Sequence, residues 1–152
     1  MKFREATDLD FSGIMRLYRQ LQPADPILTD GKDRSVFDEI INDERLHLFV
    51  LDDDGETRAT CYLNVIPNIT RSARSYAIVE NVVTDERVRG QGLGKKIMQN
   101  TLEFAWSQGC YKVMLQTGSQ RESTQEFYNS CGFSGDEKHA FVAWLPTSLR
   151  YQ

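Results

Sequence analysis

Apolar positions recur along the chain in two periods, and the clearest stretch of each lies on either side of one glycine-rich turn. From Leu93 onward they fall at 93, 97, 98, 102, 105 and 106, the spacing of a helix with a broad buried face. Just before the turn, residues 78–84 (Ile-Val-Glu-Asn-Val-Val-Thr) are short and rich in β-branched types, which predicts a strand. Upstream, residues 2–6 read as a first strand, and Thr7 followed by Asp8 and Asp10 predicts a helix start. Leu9, Ile14, Leu17, Tyr18 and Leu21 carry a helical stripe to about residue 20, where Pro23 and Pro26 stop it. A second, short helix is predicted over 35–42, with Val36, Phe37, Ile40 and Ile41 as its apolar residues. Residues 46–51 and 57–66 predict two strands, and Asp54-Gly55 between them is a strong hairpin signal. Beyond the long helix, which Gly109 closes, the pattern predicts a strand over 111–117, a helix over 122–130 and a final strand over 138–145.

An antiparallel meander followed by strand–helix–strand–helix–strand means one mixed sheet, α+β (α/β mixed sheet) in character. A chain of 152 residues reads as a single domain, 1–152, large enough to bury a core. Apolar content of 40% and charged content of 26% place it with soluble globular proteins. A net charge of −4 offers no broad basic field, which argues against nucleic acid or membrane as partner. With no apolar run of spanning length and no signal-peptide pattern, the expected location is cytoplasmic. Cys61, Cys110 and Cys131 lack metal-ligand spacing and read as reduced core thiols, so no metal is expected. His47 and His139 stand alone and read as structural.

The turn itself, Arg89-Gly90-Gln91-Gly92-Leu93-Gly94, carries the candidate chemistry. A strand, a glycine-rich turn and a helix starting inside it hold anions: the first helical amides are unpaired and glycines let backbone approach oxygen atoms. Arg89 and Lys95 add full charges at the rim. The Walker pattern fails, because Arg89 stands where its first glycine belongs and Lys96 where its Ser or Thr belongs. The dinucleotide fingerprint fails too, since Lys95 or Ile97 occupies its third small position. What remains is Arg-x-x-Gly-x-Gly in two overlapping registers, from Arg87 or from Arg89.

Val82-Val83-Thr84, this turn and the helix after it resemble the acetyl-CoA motif of the GNAT superfamily of N-acetyltransferases. Gly109-Cys110-Tyr111-Lys112 and Phe127-Tyr128-Asn129-Ser130-Cys131-Gly132-Phe133 resemble the superfamily's next strand and its Phe-Tyr-x-x-x-Gly-Phe signature. The resemblance covers roughly residues 76 to 145 and is locally nearest to small-amine members such as the glucosamine-phosphate enzymes. Those carry an acid where Asn81 stands, so their acceptor is not implied. A GNAT-like fold implies a mostly antiparallel central sheet of six to seven strands with about four helices.

The resemblance further implies acetyl-CoA as cosubstrate, held by Val82, Val83, Thr84, Arg89, Gly90, Gln91, Gly92, Leu93, Gly94 and Lys95. Arg121 stands where many relatives carry Asn and is within the reach of a CoA phosphate. Glu80, nine residues before Arg89, matches a water-coordinating glutamate and is the expected base; strand alternation puts it on one face with Val82. Tyr128 matches the tyrosine that protonates the leaving thiolate. The strand at 78–84 should splay from the one at 111–117 to leave an edge for the pantetheine arm. The link over 22–34 would overhang the acceptor. The expected reaction is direct transfer of acetyl to a small primary amine in a ternary complex, with a homodimer as a further expectation. A protein or peptide acceptor, or a non-catalytic CoA-binding module, are the alternatives.

Overall fold

Asp54 and Gly55 both take positive φ, 51° and 87°, and from this two-residue turn the sheet is built outward. Asp and Gly tolerate that conformation, which matches the twist of the flanking strands. The turn joins β2 (Leu46–Asp53) to β3 (Glu56–Ile66), with Asp53 opposite Glu56. β1 (Lys2–Glu5) pairs antiparallel with β2, and β4 (Tyr76–Thr84) antiparallel with β3. β5 (Val113–Leu115) joins β4 in parallel, so the order is β1-β2-β3-β4-β5. The computed structural model describes residues 1–146. The chain divides into two units, Met1–Thr117 and the residues from Gly118 onward, each taken here by itself.

In the first unit both faces of the sheet are covered. Leu48 and Val50 pack with Ile14 of α1 (Phe11–Leu21) and Phe37 of α2 (Lys32–Asn42). Their neighbours along β2, His47 and Phe49, point the other way, as strand alternation requires. There they meet Phe104 of α4 (Leu93–Ser107), with ring centroids 4.5 and 4.9 Å away. Ile14, Leu17, Ile97 and Met98 are fully buried, and each such side chain contributes roughly 1.5–3 kcal/mol of transfer free energy. Thr7 caps the turn before α1, and its N–H donates to Asp10 Oδ2 at 2.7 Å. His47 is buried, with Nδ1 2.7 Å from Glu5 Oε1, a structural pairing. Cys61, Cys110 and Cys131 are all buried. The loop before β4 contains a single left-handed turn, α3 (Thr70–Ala73), where Arg71, Ser72 and Ala73 take φ of 57°, 61° and 57°.

The second unit holds α5 (Glu122–Ser130), followed by a turn in which the Phe133 N–H donates to the Tyr128 carbonyl at 3.1 Å. The final strand expected over 138–145 is not formed. A strand exists only as part of a ladder, and no strand among the described residues pairs with this segment. Phe141 and Trp144 are 92% and 77% exposed as a result. The sheet therefore has five strands among the described residues instead of six to seven, with five α-helical segments once the α3 turn is counted. No described helix is long and apolar enough to cross a membrane.

Candidate active site

β4 carries the first part of the site, and its geometry departs from plain alternation. Val83 pairs with Thr60 and Glu80 with Tyr62, so two residues of β4, Asn81 and Val82, stand against the single Cys61 of β3. Asn81 supplies the extra residue by taking φ 52° inside the strand, a left-handed conformation that Asn tolerates better than most side chains. The consequence reverses the expected facing. Thr60 and Tyr62 lie on one face of β3, so Glu80 shares a face with Val83 and not with Val82. That face is the one covered by α1 and α2, since Tyr62 packs on the Ile14–Phe37 cluster. Glu80 and Asn81 themselves are exposed. Burial pushes the Tyr18 hydroxyl of α1 well above the usual phenol range, with hydrogen bonds to Asn81 and Thr60 partly offsetting it.

On its other side β4 is paired only over Ala77, Ile78 and Val79, opposite Val113, Met114 and Leu115. The next strand is three residues long where seven were expected, and pairing ends before Glu80. Ladder pairing between the two strands thus stops at Val79 and Leu115. The β5-facing backbone of residues 80–84 joins no ladder among the described residues and leads straight into the turn.

The turn opens at a buried acid. Asp85 is fully buried, and its carboxylate accepts from Arg16 Nη1 at 2.7 Å, from Arg87 Nη2 at 2.6 Å and from the Arg87 N–H at 3.1 Å. The Arg87 guanidinium first, and Arg16 after it, hold this carboxyl well below the usual carboxylate range against the opposing effect of burial. Arg87 also pairs with Glu56. Arg16 Nη2 donates to the Thr57 carbonyl at 2.8 Å, and Gln20, one helical turn further along α1, accepts from the Glu86 N–H at 2.9 Å. These contacts decide between the two motif registers. Arg87 is committed to the root of the turn, whereas Arg89 is exposed and makes one bond, from Nε to the Thr84 carbonyl at 3.2 Å. The sequence reading missed Asp85, Arg16 and Gln20. Their only signal was an acid directly after a β-branched strand.

Beyond Arg89 the geometry suits an anion. Gly90 and Gly92 both have φ of 78°, and a Cβ on either would meet no protein atom within 4 Å. Their glycines thus serve backbone conformation rather than close packing inside the chain. The first helical bond of α4 runs from Lys96 N–H to the Gly92 carbonyl at 3.0 Å. The amides of Leu93, Gly94 and Lys95 are left outside the ladder, and no side chain caps them. Leu93 is buried and pins the helix start, while Gln91 and Lys95 are exposed beside it. Three open amides, a helix N-terminus and the Arg89 and Lys95 charges fit a pyrophosphate. Val82 and Thr84 are half-buried and Val83 is buried.

The other two expected site residues belong to the second unit. Tyr128 is half-buried on α5, its ring 5.0 Å from Phe127 and 6.2 Å from Phe133. Arg121 is exposed and occupies the N-cap position of α5, with extended φ and ψ of −74° and 132°.

Comparison with known proteins bears on the family. Residues 13–133 match the acetyltransferase (GNAT) family. A glucosamine 6-phosphate N-acetyltransferase of Trypanosoma brucei brucei is 36% identical over 84 residues, 55% of this chain and 55% of that protein's length. Glucosamine 6-phosphate N-acetyltransferase 1 of Oryza sativa subsp. japonica is 32% identical over 124 residues, 80% of this chain and 73% of the other. A solved structure from Agrobacterium tumefaciens str. C58 superposes with a TM-score of 0.89 at 38% identity, over 95% of this chain and 100% of that one. A family match over residues 13–133, with a relative 32% identical over 80% of this chain, makes this protein an acyltransferase of the GNAT acetyltransferase family.

Proposed function

We propose that the chain transfers the acetyl group of acetyl-CoA to the primary amine of a small molecule, directly, within a ternary complex. The observation that carries this reading is the end of β4–β5 pairing at Val79, which leaves a strand edge running into the turn at Arg89–Lys95. The turn takes the pyrophosphate, and the backbone of Asn81–Thr84 takes the pantetheine arm as an added strand would be taken. Holding thioester and amine together supplies much of the rate. A primary amine is mostly protonated near neutral pH, so Glu80 accepts a proton, directly or through one water, before attack. The amine nitrogen then forms the C–N bond at the acetyl carbon and gives its second proton to solvent, the C–S bond breaks, and the CoA thiolate takes a proton from the Tyr128 hydroxyl, which solvent restores.

Support for a small acceptor comes from relatives whose names specify glucosamine 6-phosphate. An amino sugar phosphate is therefore the first acceptor to assay, followed by aminoglycosides, polyamines, amino acids and peptides. The measurement is CoA release together with the mass of the acetylated product. The reading stands if one small amine gains a single acetyl group. It falls if only peptides or protein lysines are acetylated.

A further inference from the structure

The root of the anion turn contains a charge of the wrong sign. Asp85 lies four residues before Arg89, is fully buried, and at neutral pH is an anion placed beside a site that must attract another anion. Two cations answer it, and they come from different places. Arg87 is local to the turn and is shared with Glu56. Arg16 comes from α1, a helix remote in sequence, and binds Asp85 Oδ2 at 2.7 Å and the Thr57 carbonyl at 2.8 Å. Gln20 on the same helix face holds the next backbone amide, that of Glu86, at 2.9 Å. With two side chains four residues apart gripping consecutive residues of the turn's root, α1 fixes both its charge and its place.

We propose that Arg16 is a positioning residue for the acyl donor, neutralising the buried Asp85 so that the turn stays attractive to a pyrophosphate. Arg16 acts through Asp85 and the turn, without touching the donor. The proposal rests on the reading of the turn as the pyrophosphate site. It makes a claim that a purely structural ion pair would not: the effect belongs to the donor's phosphates and follows the sign of the charge at Asp85. Without Arg16, Arg87 and Arg58 are left to face Asp85, Glu56 and Asp53, and the root becomes net negative.

The test uses two donors, acetyl-CoA and S-acetylpantetheine, which carries the same thioester without phosphates. Wild-type enzyme should have a much lower KM for acetyl-CoA than for S-acetylpantetheine. Equal values would remove the turn from donor binding, and this proposal with it. In Arg16→Gln the KM for acetyl-CoA should rise about tenfold, a loss of ~1.4 kcal/mol in affinity, while kcat/KM for S-acetylpantetheine changes less than about twofold. Adding Asp85→Asn, which keeps the acceptor oxygen but removes the charge, should restore most of the acetyl-CoA affinity. Arg16→Lys, which keeps the charge and loses the fork, should stay near wild type, and it serves as the reading if Arg16→Gln does not fold. Equal losses with both donors, or no recovery in the double variant, would overturn the proposal, as would a tenfold loss in Arg16→Lys.

Discussion

Gly13 of α1 lies against Thr57 of β3 so closely that a Cβ built on the glycine would stand 2.5 Å from Thr57 Oγ1 and 3.0 Å from Thr57 Cβ. This contact sets the height of α1 above the sheet, and α1 in turn delivers Arg16 and Tyr18 to β4 and its turn. Gly13→Ala should gain about 1 kcal/mol of helix propensity, yet overpacking costs about 1–3 kcal/mol where the neighbour cannot retreat. Thr57 is 4% exposed and its Cβ is fixed to the strand, so the cost wins. Thermal unfolding should show a fall of a few degrees, at roughly 2–4 °C per kcal/mol for a chain of this size. The loss should shrink in a Thr57→Ala background. A Gly13→Ala protein more stable than wild type would contradict the packing described.

Gly92→Asp should weaken CoA binding by at least about tenfold, or ~1.4 kcal/mol. The residue has φ of 78°, a region that an L side chain enters at a cost of roughly 1–2 kcal/mol, and the added carboxylate brings like charge to the pyrophosphate. Calorimetry on the folded variant measures this. Unchanged affinity removes the turn from the donor site.

Glu80→Gln keeps the shape of the side chain and cannot accept a proton. Its kcat/KM should be depressed most near neutral pH and recover partly at high pH, where more of the acceptor amine is already neutral. Profiles are compared with wild type on the same amine. Parallel curves with the acidic limb intact in the variant would show that another group is the base.

Asp85→Asn tests the acid side of stability. Because the folded-state carboxyl is held below its ordinary value, its stabilisation is complete above the unfolded value of about 3.9 and disappears as pH falls through the folded one. Urea unfolding should therefore show wild type ahead of the variant by about 1–3 kcal/mol from pH 7 down to 5. The gap should narrow steadily below about pH 4. A gap that is constant down to pH 2 would mean the charge contributes nothing.

Much of this architecture was legible because its signals are local. Asp54-Gly55, Thr7 with Asp10, and the Leu93 start after Gly92 each carry their own backbone instruction, and the structure follows all three. The helix over 122–130 was legible for the same reason. What stayed hidden depends on partners far away in sequence. Nothing between Glu80 and Val83 announces an extra residue; the bulge exists because Thr60 and Tyr62 dictate the register on either side. Asp85, Glu86 and Arg87 read as an ordinary charged run until Arg16 arrives from 69 residues away. Residues 138–145 have the alternation of a strand, but alternation describes a face and does not supply a neighbour to bond with. Of the candidate site, the turn was visible in the motif and the free edge came only with the family resemblance, while the facing of Glu80 was not legible.

The three-residue seam between β4 and β5 has a cost outside catalysis. A run of strand backbone that joins no ladder among the described residues is a template for another chain that offers an edge, so the protein should self-associate more readily through it when warmed or crowded. On the proposed reading, a donor lying along this edge would double as a guard for the protein. At a concentration 100 times its Kd it would add about 2.7 kcal/mol to the native state and would hide the template at the same time. Light scattering during a heating ramp should place the onset of clouding several degrees higher with CoA than without it, and equal onsets would show that the open edge is not where association starts. A cell that runs short of acetyl-CoA and CoA together would then lose this activity through the enzyme's own solubility, before any regulator acts.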